Sequence, residues 1–111
     1  MGRFVPSPTV LRDLQVDGTT MVVDESNNRL GIGTATPQAA LDVAGDIFPS
    51  ADATHDLGSS SKRWDNIFTN DLHLANDRGD WTIIEEEEYL SIRNNKNGKM
   101  YKFVMEEIPE D

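Results

Sequence analysis

Asn28-Arg29-Leu30-Gly31-Ile32-Gly33-Thr34-Ala35-Thr36-Pro37, leading into Leu41-Asp42-Val43-Ala44-Gly45-Asp46-Ile47, reads as a strand, a pinned corner and a second strand. In extended chain successive side chains point to opposite sides, so Leu41, Val43 and Ile47 share one side with Gly45, and Asp42, Ala44 and Asp46 share the other. One side of this strand is built for burial. Thr36 ahead of Pro37 is a helix-start pair, because the threonine oxygen accepts a free N–H and proline loses nothing at the first helical position. The pair predicts a helical turn over Pro37 to Ala40. Gly31 and Gly33 omit side chains where another backbone comes close, which suits a narrow three-fold axis. Their Gly-x-Gly spacing is not a phosphate loop: the third glycine, the P-loop lysine and a long following helix are all missing.

Working outward, Leu14-Gln15-Val16-Asp17-Gly18 matches Leu41-Asp42-Val43-Ala44-Gly45 position for position as Leu-x-Val-x-Gly. Repeated strand-and-glycine units mark arrays in which each unit is stabilised by its neighbours. Between the copies, Met21-Val22-Val23 is an apolar run and Asp24-Glu25-Ser26-Asn27-Asn28 a polar turn. That turn lacks the glycine and distal glutamate of a calcium loop.

Downstream stands Asp56-Leu57-Gly58-Ser59-Ser60-Ser61-Lys62-Arg63-Trp64-Asp65-Asn66-Ile67-Phe68. Together with Arg29 to Pro37 and Leu41 to Ile47, it resembles the shaft modules of bacteriophage tail fibres and related trimeric surface fibres, over roughly Leu14 to Leu74. The resemblance implies a mainly β fold: an elongated, intertwined homotrimeric fibre with short helical turns and a small C-terminal antiparallel β domain. It implies a shared trimer core drawn from Leu14, Val16, Leu30, Ile32, Leu41, Val43, Ile47, Trp64, Ile67, Phe68, Leu72 and Leu74, with Trp64 and its neighbours as packing residues. Ser59, Ser60 and Ser61 near His55 and Asp56 do not make a hydrolase, since adjacent loop residues cannot orient a nucleophile, a base and an acid in series.

Composition fits that reading. The chain has 111 residues, of which 37% are hydrophobic, a small endowment for a self-sufficient globule. Identical partners are the economical source of the missing burial. A formal charge of -10 argues against binding nucleic acid or an anionic membrane. The absence of cysteine removes disulfides and thiolate metal sites. No secretory signal and no bilayer-spanning apolar run is expected, as for a virion part assembled in the host cytoplasm and placed on the virion surface.

Three regions follow. Residues 1–12 form an extended attachment arm: Pro6 and Pro8 forbid a helix, and Phe4, Val5, Val10 and Leu11 would dock on another virion protein of tail, baseplate or capsid. Residues 13–75 form the shaft, ending in a strand in which Phe68, Asn70, Leu72 and Leu74 alternate with Thr69, Asp71, His73 and Ala75. His73 falls on the polar side, where a lone histidine is decoration rather than a ligand. Residues 76–111 form a β tip of three antiparallel strands, Trp81–Ile84, Tyr89–Asn94 and Met100–Glu107. Asn97-Gly98 predicts a two-residue type I′ turn that sets Lys96 against Lys99, Ile92 against Phe103 and Leu90 against Met105. Arg78-Gly79-Asp80 reads as a turn. Glu85 to Glu88 read as a solvated bend, because consecutive strand residues point alternately and cannot converge on one cation.

The function these features imply is a short trimeric fibre or spike on a phage particle, engaged in host-surface adhesion. Head decoration, or an accessory tail or baseplate role without a receptor, is the alternative. A further alternative is a carbohydrate-binding tip that offers Trp81, Tyr89 and Tyr101 with Asn94, Asn95 and Asn97 to host glycan. Asn94, Asn95, Lys96, Asn97 and Lys99 form the candidate receptor loop. No enzyme activity, cofactor or metal is expected, since depolymerase fibres need long β-helices and clustered carboxylates.

Overall fold

The computed structural model describes residues 14–110. The protein is mainly β, with two four-stranded sheets and, among the described residues, no helix. Two compact units divide after Leu57, and each holds one sheet.

The first sheet runs in chain order through β1 (Gln15–Val16), β2 (Met21–Asp24), β3 (Arg29–Ile32) and β4 (Leu41–Val43). The β2–β3 turn is the polar stretch expected from sequence. Asp24 closes it by accepting from Asn27 Nδ2 at 2.8 Å, and Asn28 takes the left-handed conformation at φ 56 that asparagine tolerates. The Asn27 hydrogen bond holds the Asp24 carboxyl below its ordinary value. The stability this carboxylate adds is therefore present at neutral pH and is lost as acid protonates it. β3 and β4 are parallel, with Leu30, Gly31 and Ile32 opposite Leu41, Asp42 and Val43. The two Leu-x-Val-x-Gly copies thus form the opposite edges of one sheet, one antiparallel to its neighbour and the other parallel.

A parallel pair needs a crossover, and residues 33–40 supply it without helix. The helical turn expected over Pro37 to Ala40 is not formed: Ala40 O already accepts from Leu30 N at 2.9 Å, and side chains of the sheet anchor the segment. Arg29 Nη1 donates to Pro37 O at 3.2 Å, and Asp42 Oδ2 accepts from Gln38 N at 2.9 Å. Both anchors come from the side of the sheet that carries Val22 and Gly31, so the crossover lies over that side. Val22, Gly31 and Pro37 are accordingly buried. Within the chain, both glycines stand where other backbone or side-chain atoms come close. A Cβ on Gly31 would stand 2.5 Å from Thr34 O, and Gly33 sits at φ +79 with Ala44 Cβ 3.2 Å from its missing side chain.

The second sheet is antiparallel throughout: β5 (Leu72–Ala75), β6 (Asp80–Glu85), β7 (Leu90–Asn94) and β8 (Met100–Lys102). It takes in Leu72–Ala75, so the boundary expected after residue 75 falls inside a hydrogen-bonded β5–β6 pair. The strand expected from Phe68 begins only at Leu72. Arg78-Gly79-Asp80 opens β6 from a turn in which Asn76 Oδ1 accepts from Arg78 N and Gly79 N.

The β7–β8 hairpin is shifted by two residues from the register expected. Ile92 faces Tyr101 and Ser91 faces Lys102, and Asn94 N donates to Lys99 O at 2.9 Å around a four-residue loop, 95–98. Asn94 closes this wider loop: its Oδ1 accepts from Lys96 N at 3.0 Å and its O from Gly98 N at 2.8 Å, so the amide that a two-residue turn would give to Lys99 O is already taken. A shift of two keeps every side chain on its expected side.

Candidate functional site

Directly paired residues share a face, so the registers sort each sheet into two sides. In the first sheet Val16, Met21, Ile32 and Val43 form one cross-strand row. Val23, Leu30 and Leu41 form the next, which Leu14 extends through its carbonyl on Val23 N at 2.7 Å. All eight are apolar and none is buried; Val16, Ile32 and Leu41 are 40%, 38% and 55% exposed. The crossover covers the other side. This face therefore has no cover within its own unit.

Six of the core candidates from sequence, Leu14, Val16, Leu30, Ile32, Leu41 and Val43, meet here. Met21 and Val23 complete the face; their i, i+2 spacing in the Met-Val-Val run was the signal for them. Ile47 does not join, because β4 stops at Val43.

The second sheet repeats the arrangement. Leu72, Ile83, Ile92 and Tyr101 form a row, Leu74 and Trp81 lie on one side of it, and Leu90 and Phe103 on the other. Leu72 and Leu74, the remaining strand candidates, are each 47% exposed. Trp81 and Tyr101 stack at 6.1 Å between centroids, tilted 44°. Tyr89 stands apart from them under Lys102 Nζ at 4.7 Å, so the three aromatics proposed for a sugar do not form one platform.

Trp64, Ile67 and Phe68 lie outside any strand and are exposed. The turn before them is formed: Ser59 N donates to Lys62 O at 2.9 Å, and Gly58, at φ +85, leaves room for the Trp64 ring edge. Lys62 N donates back to Ser59 Oγ at 3.0 Å, as at a helix N-terminus, but no helix follows. Phe4, Val5, Val10 and Leu11 lie outside the described residues.

The candidate receptor loop is internally fixed. Asn94 Oδ1 accepts from Lys96 N, and Asn97 Oδ1 from Lys99 N. Lys96 Nζ donates to Arg78 O at 3.3 Å, so this lysine ties the loop to the β5–β6 turn. Gly98 takes φ +76 with nothing within 4 Å of its missing Cβ, so a side chain there meets backbone strain alone. Gly98→Val is expected to cost about 1–2 kcal/mol. At roughly 4–8 °C per kcal/mol, scanning calorimetry should register a clear fall in Tm.

His73 is more than decoration. Its Nδ1 lies 3.0 Å from Oγ1 of Thr82, a buried residue that also accepts from Asn95 Nδ2 at 2.9 Å. Two open crevices, around Trp64 and beside Trp81, are lined by Gly58, Ser61 and Arg63 and by His73, Leu74 and Arg78 respectively. The chemistry offered by the described residues is mainly that of uncovered apolar surface. No family model, curated protein or solved structure matches this chain.

Proposed function

We propose that this chain is the protomer of a homotrimeric virion fibre or spike, a structural part of a phage particle with no catalytic role. The observation that carries the reading is the apolar face of each sheet, which its own unit leaves without cover. Among the described residues Val22 alone is a buried hydrophobic side chain, whereas Leu41, Leu72, Leu74 and Tyr101 are about half exposed. A monomer does not leave its largest apolar faces to water. Covering the first face stabilises by on the order of 10 kcal/mol of gross apolar transfer per copy, before the ordering costs of association. Copies of the same chain suit this need, because each brings the same strip to a common axis. The resemblance of Arg29–Pro37, Leu41–Ile47 and Asp56–Phe68 to tail-fibre shaft modules supports the virion assignment. In this reading the strands of three copies intertwine along an elongated shaft, residues 1–12 attach it to another virion protein, and the tip meets the host surface.

Sedimentation equilibrium of the full chain at low micromolar concentration tests the proposal. Three times the chain mass of 12.4 kDa is expected. A monomer with a cooperative thermal transition would overturn it.

A further inference from the structure

The strongest unexplained feature lies on the polar side of the second sheet, away from its apolar face. His73 of β5, Thr82 of β6 and Arg93 of β7 share a row there, with Asp80 in the next. Asn95 Nδ2 reaches Asp80 Oδ1 and Thr82 Oγ1, both at 2.9 Å, and Thr82 Oγ1 lies 3.0 Å from His73 Nδ1.

Counting hydrogens fixes the direction of this chain. The Asn95 amide has two, and its two neighbours take one each, the Asp80 carboxylate as a pure acceptor. Thr82 therefore receives at its oxygen, and its single hydrogen points to His73. For His73 Nδ1 to take that hydrogen, the ring must be neutral with its proton on Nε2. Thr82 is 5% exposed, so water does not freely replace a lost partner. A protonated ring would donate from Nδ1 as well. Thr82 would then meet donors from two sides, and its own hydrogen would be stranded in a buried place. Either the ring leaves Thr82 or Asn95 does.

We infer that His73, Thr82, Asn95 and Asp80 form a proton-sensitive latch that ties the β7–β8 loop to the β5 edge when His73 is neutral and loosens when it is charged. The charged groups around His73 are Asp71 on its own segment, Arg78 of the β5–β6 turn, Asp80 on β6 and Arg93 on β7. The specific element is the direction of the hydrogen bonds. The backbone bond from Asn95 N to Asp80 O remains in both states, so the change is a release of the loop's side-chain anchor and not an unfolding of the hairpin. The inference is independent of the trimer reading, because it concerns the side of the sheet opposite the apolar face.

Nitrogen-15 NMR of the full chain between pH 8 and pH 5 tests it. At pH 8 His73 should show the Nε2–H tautomer, and the Asn95 side-chain amide and the Gly98 amide should shift with the same midpoint as the His73 ring. In His73→Phe, which keeps a ring on the edge strand without a titrating nitrogen, both loop signals should stay still over that range. In Thr82→Val they should no longer follow His73. An Nδ1–H tautomer at pH 8, loop signals indifferent to the ring, or an unchanged response in His73→Phe would each overturn the latch.

Discussion

Leu41→Asp is expected to abolish the trimer. Leu41 sits on the edge strand β4 at the end of a row with Val23 and Leu30, and it is the most exposed member of the first apolar face. In a single chain its side chain meets water, so the substitution removes little that one chain needs. In the proposed trimer the same position would close against the other copies, and three carboxylates would enter a shared apolar interior. Each uncompensated charge costs several kcal/mol there, and their mutual repulsion adds to it. The variant should sediment as a monomer and lose its cooperative thermal transition. Gln15→Asp is the matched control, since Gln15 pairs with Val22 and therefore faces the crossover side. It should remain trimeric. Dissociation by both variants would mean that added charge, and not the identity of the face, governs assembly. Retention of the trimer in Leu41→Asp would remove this face from the interface.

The face was legible in the sequence because period-two spacing is local. Leu14 with Val16, Leu30 with Ile32, and Leu41 with Val43 each declare a shared side before any partner strand is known. Sheet registers then only had to align the pairs. The C-terminal sheet was legible for the same reason, and even the hairpin register, wrong by two, kept Ile92 and Tyr101 on the expected side. What escaped were features set by contacts distant in sequence. Asn97-Gly98 carries a strong local preference for a tight turn, but the loop takes a wider form in which Asn94 Oδ1 holds the Lys96 amide and Lys96 Nζ reaches Arg78 O across the sheet. Thr36-Pro37 carries a preference for a helix start, but Ala40 O is taken by Leu30 N and the segment is anchored to Arg29 and Asp42 of the sheet. Leu72–Ala75 reads as the end of one region and pairs into the next, since nothing in a strand's own pattern names its neighbour. The proposed His73 latch was hidden for the same reason: its four members come from β5, β6 and the β7–β8 loop.

Gly31→Ala is expected to destabilise the protein more than any other single methyl group added to this sheet. The new Cβ would lie 2.5 Å from Thr34 O and 3.4 Å from Pro37 Cδ, and a backbone carbonyl cannot turn aside as a flexible side chain can. The crossover 33–40 would have to lift. Lifting it uncovers Val22 and Pro37, and it strains the bonds from Arg29 to Pro37 O and from Gln38 N to Asp42. Overpacking of this kind costs about 1–3 kcal/mol, and the loss of these anchors places Gly31→Ala at the upper end of that range. Gly45→Ala supplies the contrast, because Gly45 has open space around it and an ordinary negative φ. It should be neutral or stabilise by about 0.4–1 kcal/mol through the unfolded chain. Thermal unfolding followed by circular dichroism should therefore separate the two glycine variants by well over 10 °C, at roughly 4–8 °C per kcal/mol. Hydrogen exchange then locates the cause. In Gly31→Ala the Gln38 amide, bound to Asp42, and the Leu30 amide, bound to Ala40 O, should lose protection while the chain still forms trimers. If instead those amides stay protected and the trimer falls apart, Gly31 crowds other chains at an axis, and its contact with Thr34 is not what the glycine is for.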